Sequence, residues 1–115
     1  MLYHKDIGFP ADVKLPATKM LLDYSGHALV AAHDDQYGDI KLPEVLDTQA
    51  AKLIEIEVND TGRVVKALYR LPHDDRYDLV MAVLMARRWV KTVWLNDRND
   101  EHETLDRAKY AVPAA

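Results

Sequence analysis

The stretch that decides the fold is Lys52–Asn96, in which four runs of strand-forming residues follow one another with only brief turns between them. The runs are Lys52–Val58 (KLIEIEV), Arg63–Leu71 (RVVKALYRL), Tyr77–Met85 (YDLVMAVLM) and Trp89–Asn96 (WVKTVWLN). Each is rich in the β-branched and aromatic residues that favour strands. The first join, Asn59-Asp60-Thr61-Gly62, is a strong hairpin turn. We therefore predict an antiparallel β-meander in the middle of the chain.

Alternation along these runs predicts which side chains face the core, because successive strand residues point to opposite faces. The predicted core face comprises Ile54, Ile56 and Val58 in the first strand and Val65, Ala67, Tyr69 and Leu71 in the second. Lys66 and Arg70 then point the other way. The third run is apolar on both faces after Asp78, which is typical of a strand in the middle of a sheet. The fourth run leaves open whether Trp89 or Trp94 is buried.

A short helix is predicted before the meander, over about Gly26–Tyr37. Ser25 is a good N-cap, because its hydroxyl can accept a hydrogen bond from a free amide at the helix start. Gly38 is predicted to end the helix, since glycine readily adopts the left-handed conformation found there. The short apolar segment 19–24 is predicted as a strand that leads into the helix.

The chain is predicted to form one α+β domain. Residues 1–19 are expected to be an extended N-terminal arm with little regular structure, for which a docked strand is the alternative. Residues 20–96 are predicted to form the domain itself. The N-terminal arm and the helix are predicted to pack on a four- to five-stranded antiparallel β-meander. Residues 97–115 are expected to be a C-terminal tail.

Composition narrows the class of protein. The chain has 115 residues, no cysteine and a net charge of −4. No apolar run approaches the roughly 20 residues of a membrane-spanning helix, and no secretory signal is visible. We therefore expect a cytoplasmic protein without a membrane partner. The acidic balance argues against a dedicated nucleic-acid binder, but it is compatible with a basic patch confined to the sheet.

No metal or cofactor site is predicted. His27 and His33 are six residues apart, and that spacing does not place both on one face of a helix. The chain carries no glycine-rich phosphate loop and no cysteine nucleophile.

The arrangement that predicts chemistry is His27 together with Lys66 and Arg70. His27 lies in the first turn of its helix, where the positive end of the helix dipole favours anions. Lys66 and Arg70 share one strand face and offer two cations to a phosphate backbone. RNA cleavage needs a base, an acid and cations, which these residues supply without metal. The alternative is structural, with His27 bonded locally and the cations paired with Glu55 and Glu57 across the hairpin.

The pattern resembles a known group of proteins. Ser25-x-His27-Ala28-Leu29, followed by strands that end in Val90-Lys91-Thr92-Val93-Trp94, looks like the superfamily of barnase, EndoU, colicin and RelE folds. The resemblance covers about residues 20–96 and is closest to small uncharacterised members with a Ser-x-His-Ala helix. The segment 94–106 also looks like small phage-encoded or prophage-encoded proteins of unassigned function.

The resemblance implies a metal-independent, toxin-like endoribonuclease or RNA-binding domain that acts on tRNA or ribosome-associated RNA. Carried onto this chain, it makes His27 the general base or acid and Lys66 and Arg70 the phosphate clamps. Thr92 would be the polar residue of the last strand.

A second hypothesis is a non-catalytic, phage-type accessory protein that binds and inhibits a host protein. The acidic charge and the two-sided apolar third strand motivate it, because an acidic surface can imitate nucleic acid toward a basic partner. A homodimer is also open under this hypothesis.

Overall fold

The computed structural model describes residues 1–13, 15, 19–35, 37–100 and 106–113. Within these ranges lie one α-helix and eight strands. They are β1 Leu2–His4, β2 Lys19–Leu21, β3 Asp23–Tyr24, α1 Gly26–His33, β4 Val45–Asp47, β5 Lys52–Val58, β6 Val64–Pro72, β7 Tyr77–Leu84 and β8 Trp89–Asp97. A single 3-10 turn follows at Arg107–Lys109. Among the described residues, no helix is long and apolar enough to cross a membrane.

The main sheet has six strands in the order β1-β5-β6-β7-β8-β3, and β2 pairs with β4 in a separate two-stranded sheet. All neighbours in the main sheet are antiparallel except β3, which runs parallel to β8. The α+β class and the antiparallel meander are confirmed. Each predicted meander strand begins and ends within one residue of the observed bounds.

Two predicted core positions, Ile54 and Val65, are wrong because of β-bulges. Where the β5–β6 register shifts between Glu57 and Val58, Val64 lies opposite Val58 and is buried, and Val65 is not part of the core. The pairing of β5 with β6 shifts between Leu53 and Glu55, so that Leu53 lies opposite Tyr69. Leu53 therefore packs against the core, together with Ile56. Ile54 lies on the other face of the sheet, where it lines a groove. An extra residue at a bulge breaks the alternation on which the prediction depended.

A further bulge, between β7 and β8, explains why the register of the last strand is ambiguous from sequence. Thr92 lies opposite Ala82, but Val90 lies opposite Val83, so Lys91 is the extra residue. Val90 and Val93 are consequently both in the core. Neither tryptophan of this strand is fully buried.

The helix is shorter than predicted, since it ends at His33 and is capped by Asp34. The reason is a tertiary contact, because the amide of Ile40 donates to the carbonyl oxygen of Ala32 at 2.8 Å. The chain turns back there and buries Ile40. The predicted N-cap is confirmed, since the Ser25 hydroxyl accepts from the amide of Ala28 at 2.9 Å.

In the N-terminal arm the structure has a docked strand, which was the alternative to an extended arm. Residues Leu2–His4 form an edge strand on β5, with Tyr3 buried opposite Ile56. The chain beyond the sheet returns to this strand, where the amide of Ala111 donates to the carbonyl oxygen of Leu2 at 2.8 Å. Burial of Tyr3 stabilises a segment whose local sequence gives no strong strand signal.

Helix α1 and the β2–β4 sheet cover one face of the main sheet. Their buried side chains join a single core with those of the sheet, among them Ala28, Ala32, Met20, Leu46, Tyr69 and Met81. Alanine at both buried helix positions lets α1 lie close to the strands. The opposite face carries no α-helix in the described part of the chain, and it holds the candidate site.

Two tyrosines of this core provide a stability test. Tyr69 is 1% exposed, and among the described residues its hydroxyl has no hydrogen-bond partner. The Tyr24 hydroxyl donates to the carbonyl oxygen of Pro43. We expect Tyr69→Phe to leave the free energy of unfolding unchanged or to raise it, and Tyr24→Phe to lower it by about 1 kcal/mol. Urea unfolding at constant pH measures both, and a larger loss for Tyr69→Phe would contradict the assignment.

Candidate functional site

A groove of about 1010 Å³ crosses the open face of the sheet. Its floor is largely apolar and is formed by side chains of the central strands: Leu68, Val80, Ala82, Thr92 and Trp94. Val80 and Ala82 are each only 4% exposed, although they point away from the helix-covered core. The prediction of a third strand that is apolar on both faces is thereby confirmed.

Charged and polar side chains form the walls of this groove. Cationic and histidine side chains come from three separate parts of the chain: His4, Lys5, Lys52, Lys66, Arg70, Arg98 and Lys109. Carboxylates lie among them at Asp6, Glu55, Asp78, Asp100 and Asp106. An apolar floor with polar walls suits a ligand that is both amphipathic and charged.

The structure brings three of the four sequence-predicted site residues together. Lys66, Arg70 and Thr92 all line the groove. His27 does not line it, and its side chain is exposed on α1. Because Ala28 packs into the core on the opposite face, the sheet stands between His27 and the groove.

Arg70 is held in place by several partners. Its Nε donates to Asp78 Oδ2 at 2.8 Å, and its Nη2 donates to the carbonyl oxygen of Asp97 at 2.9 Å. Its Nη1 donates to the carbonyl oxygen of Asp100 at 3.3 Å. Arg70 thus ties the end of β8 to β6, and its partner is not Glu55 or Glu57 as the structural alternative proposed.

Asp78 joins two arginines. Arg98 Nε donates to Asp78 Oδ1 at 2.9 Å, opposite the oxygen that Arg70 contacts. The same guanidinium reaches back to the β6–β7 turn, where it donates to the carbonyl oxygens of Asp74 and Asp75. We call Arg70, Asp78 and Arg98 the arginine clamp. It closes one end of the groove and fixes the two turns that border it.

Opposing effects act on the pKa of Asp78. Burial alone raises this pKa, but hydrogen bonds and positive charge from Arg70 and Arg98 outweigh burial. The net result is a pKa below the ordinary value of 3.8. Asp78 therefore remains ionised at neutral pH and keeps the clamp intact.

Lys66 differs from Arg70, because its side-chain ammonium forms no hydrogen bond or ion pair with any residue that the structure describes. Glu57 lies opposite it in the β5–β6 register, yet no ion pair joins the two. Glu55 is engaged elsewhere, as the acceptor of a 2.6 Å hydrogen bond from the Tyr110 hydroxyl. The Lys66 ammonium is therefore available to a ligand at the wall of the groove.

Sequence reasoning missed a further group on the far wall, formed by His4, Glu55 and Tyr110. His4 lies opposite Glu55 in the β1–β5 register, and its ring centroid is 5.0 Å from that of Tyr110. Burial, reinforced by the Glu55 carboxylate, raises the pKa of Tyr110 to about 12. No local sequence pattern predicts this group, because it depends on pairing between distant parts of the chain.

Among the described residues, no group of three or more histidine, aspartate or glutamate side chains is placed to hold a metal ion. Comparisons with protein-family models, with curated proteins and with solved structures found no match to this chain.

The arginine clamp predicts a loss of stability in acid. A pKa of Asp78 below 3.8 means that its stabilising effect is complete above that pH and fades as pH falls through the lower folded-state value. Asp78→Asn should lower the free energy of unfolding at pH 7 by about 2 kcal/mol. It should also flatten the pH dependence of stability below about pH 4.

Asp60→Asn is the matched control, because Asp60 is exposed in the β5–β6 turn. Denaturant midpoints of both variants across the acid range measure the effect. An acid profile for Asp78→Asn that is parallel to wild type would contradict the role of the clamp.

Proposed function

We propose that the groove binds a short segment of single-stranded RNA, with Lys66 contacting a phosphate and Trp94 stacking on a base. One observation carries the proposal: a lysine that is unpaired among the described residues and a partly buried tryptophan line the same groove, whose floor is largely apolar. Single-stranded nucleic acids are bound by this combination of cations that follow the backbone and aromatic rings that stack on bases.

The placement of these groups fits a strand that lies across the sheet. Lys66 lies beside Leu84 near one end of the meander, whereas Trp94 lies beside Val80 towards the other. Thr92 lies beside Ala82, between them. Its hydroxyl can donate to or accept from a base edge or a ribose 2′-hydroxyl.

The same geometry supports RNA binding more than it supports RNA cleavage by the predicted catalytic residues. Cleavage by His27, Lys66 and Arg70 requires all three to reach one phosphate, but His27 lies beyond the sheet. Arg70 is committed to Asp78 and to backbone carbonyls. Lys66 alone of these three is both in the groove and unpaired among the described residues.

Binding can be tested with a labelled oligouridylate by fluorescence anisotropy at low salt. Lys66→Ala should weaken binding and reduce the salt dependence of the affinity, because one phosphate contact is lost. Trp94→Ala should weaken binding by about 1–3 kcal/mol through loss of stacking. Lys41→Ala is the matched control, since Lys41 is exposed and lies outside the groove.

A wild-type protein that binds neither RNA nor DNA at low salt would contradict the proposal and favour the protein-binding alternative. Equal affinity for RNA and DNA of the same sequence would show that the 2′-hydroxyl is not read.

A separate prediction concerns His27. We expect His27→Ala to bind the same oligonucleotide with wild-type affinity, because this side chain does not reach the groove. Incubation of both proteins with total tRNA and with ribosomes, followed by gel analysis, tests cleavage alongside binding. Cleavage by the wild type that disappears in His27→Ala would restore the histidine to the site and contradict the placement argued above.

A further inference from the structure

The two ends of the meander differ in whether their arginine side chains are paired with carboxylates. The β5–β6 turn and the β7–β8 turn lie at one end, next to each other, since the amide of Met85 donates to the carbonyl oxygen of Val65 at 3.1 Å. Arg63, Arg87 and Arg88 project from this end, and we call them the basic rim. The β6–β7 turn and residues 97–100 form the other end, which holds the arginine clamp.

At the clamp end, each arginine is paired with aspartate. Arg70 and Arg98 bind Asp78, and Arg76 lies 3.6 Å from Asp97. Aspartates are also concentrated there, which makes this end acidic. The arginine side chains at this end of the meander are therefore already paired with carboxylates.

At the basic rim, no arginine side chain forms an ion pair or hydrogen bond with a described residue. The nearest carboxylates by strand register and turn position belong to Asp23, Glu57 and Asp60, and none of these carboxylates forms an ion pair with a rim arginine. Asp23 is joined to the rim through the main chain, since its amide donates to the carbonyl oxygen of Arg88 at 3.0 Å. Unpaired guanidinium groups that cluster on two adjacent turns create a local positive potential, even on a protein of net charge −4.

Two details show how the rim presents its charges. The Arg87 guanidinium lies 5.5 Å from the ring centroid of Trp89, a cation–π contact that holds it against the sheet. Arg88 has φ of 52°, in the left-handed region that favours glycine. A turn that would be less strained with glycine thus carries a cation instead.

The rim is continuous with the groove through Lys66. Lys66 lies opposite Leu84, which is the last residue of β7. Lys66 is therefore next to the start of the turn that bears Arg87 and Arg88. We propose that RNA bound in the groove leaves it past Lys66 and that its phosphate backbone continues over the basic rim. The inference rests on the proposed function and extends the site to a longer single strand.

The experiment compares two lengths of oligouridylate, of about four and about twelve nucleotides, on the full chain. A strand that only fills the groove does not reach the rim, whereas the longer one does. Arg87→Ala/Arg88→Ala should leave the affinity for the short strand unchanged and weaken the long one roughly tenfold at low salt. The slope of log affinity against log salt for the long strand should fall by about 0.7 for each lost contact.

Two further variants control for folding and for general loss of charge. Arg88→Gly removes one cation while relieving the left-handed backbone, so it should lower long-strand affinity without destabilising the turn. Arg76→Ala removes an exposed arginine at the clamp end and should change neither affinity.

The outcomes separate the two proposals. If the wild type binds both strands and the double variant keeps wild-type affinity and slope for the long strand, the rim inference is overturned and the groove stands. Equal weakening for both lengths would also overturn it, because the rim would then act on the groove rather than extend it. If the wild type fails to bind the short strand, the proposed function fails and the rim inference falls with it.

Discussion

Burial of β7 on both of its faces is the constraint on which the rest of the structure depends. This strand is paired with β6 on one side and β8 on the other, and six of its eight residues are buried. Met81 points into the helix-covered core, while Val80 points into the groove. Apolar area removed from water on both faces favours a central position for this strand. The meander is organised around it, and the groove has an apolar floor as a result.

The arginine clamp follows from the same strand. Asp78 is the polar residue at its beginning, on the groove face, and it is only 9% exposed. A carboxylate at such a position needs compensation, which Arg70 supplies from the neighbouring strand and Arg98 from beyond β8. The clamp therefore compensates the buried charge of Asp78. For this reason Arg70 has a structural role at the edge of the groove, whereas the sequence predicted that it would bind a phosphate.

Local pattern was sufficient for the meander, because each hairpin joins strands that are adjacent in sequence and carry their own turn signals. Local pattern was insufficient to predict which face of the sheet Ile54 and Lys91 occupy. A bulge changes the face on which a side chain lies without any change in composition. Local pattern also failed for β1, whose pairing with β5 joins residues more than fifty positions apart. Half of the groove walls depend on such distant pairings, so the site could be predicted only on the strands of the meander.

The Ser25-x-His27-Ala28 motif, which suggested chemistry, has a structural explanation in its flanking residues. The Ser25 hydroxyl accepts from the Ala28 amide and donates to the carbonyl oxygen of Lys91 at 2.8 Å. That carbonyl belongs to the extra residue of the β8 bulge, so the cap of the helix also satisfies a backbone group that the bulge leaves unpaired. Ala28 is fully buried against the sheet. Serine and alanine are thus required by packing, whereas the histidine between them is exposed. A helix docked on a bulged strand is sufficient to explain a short pattern of this kind.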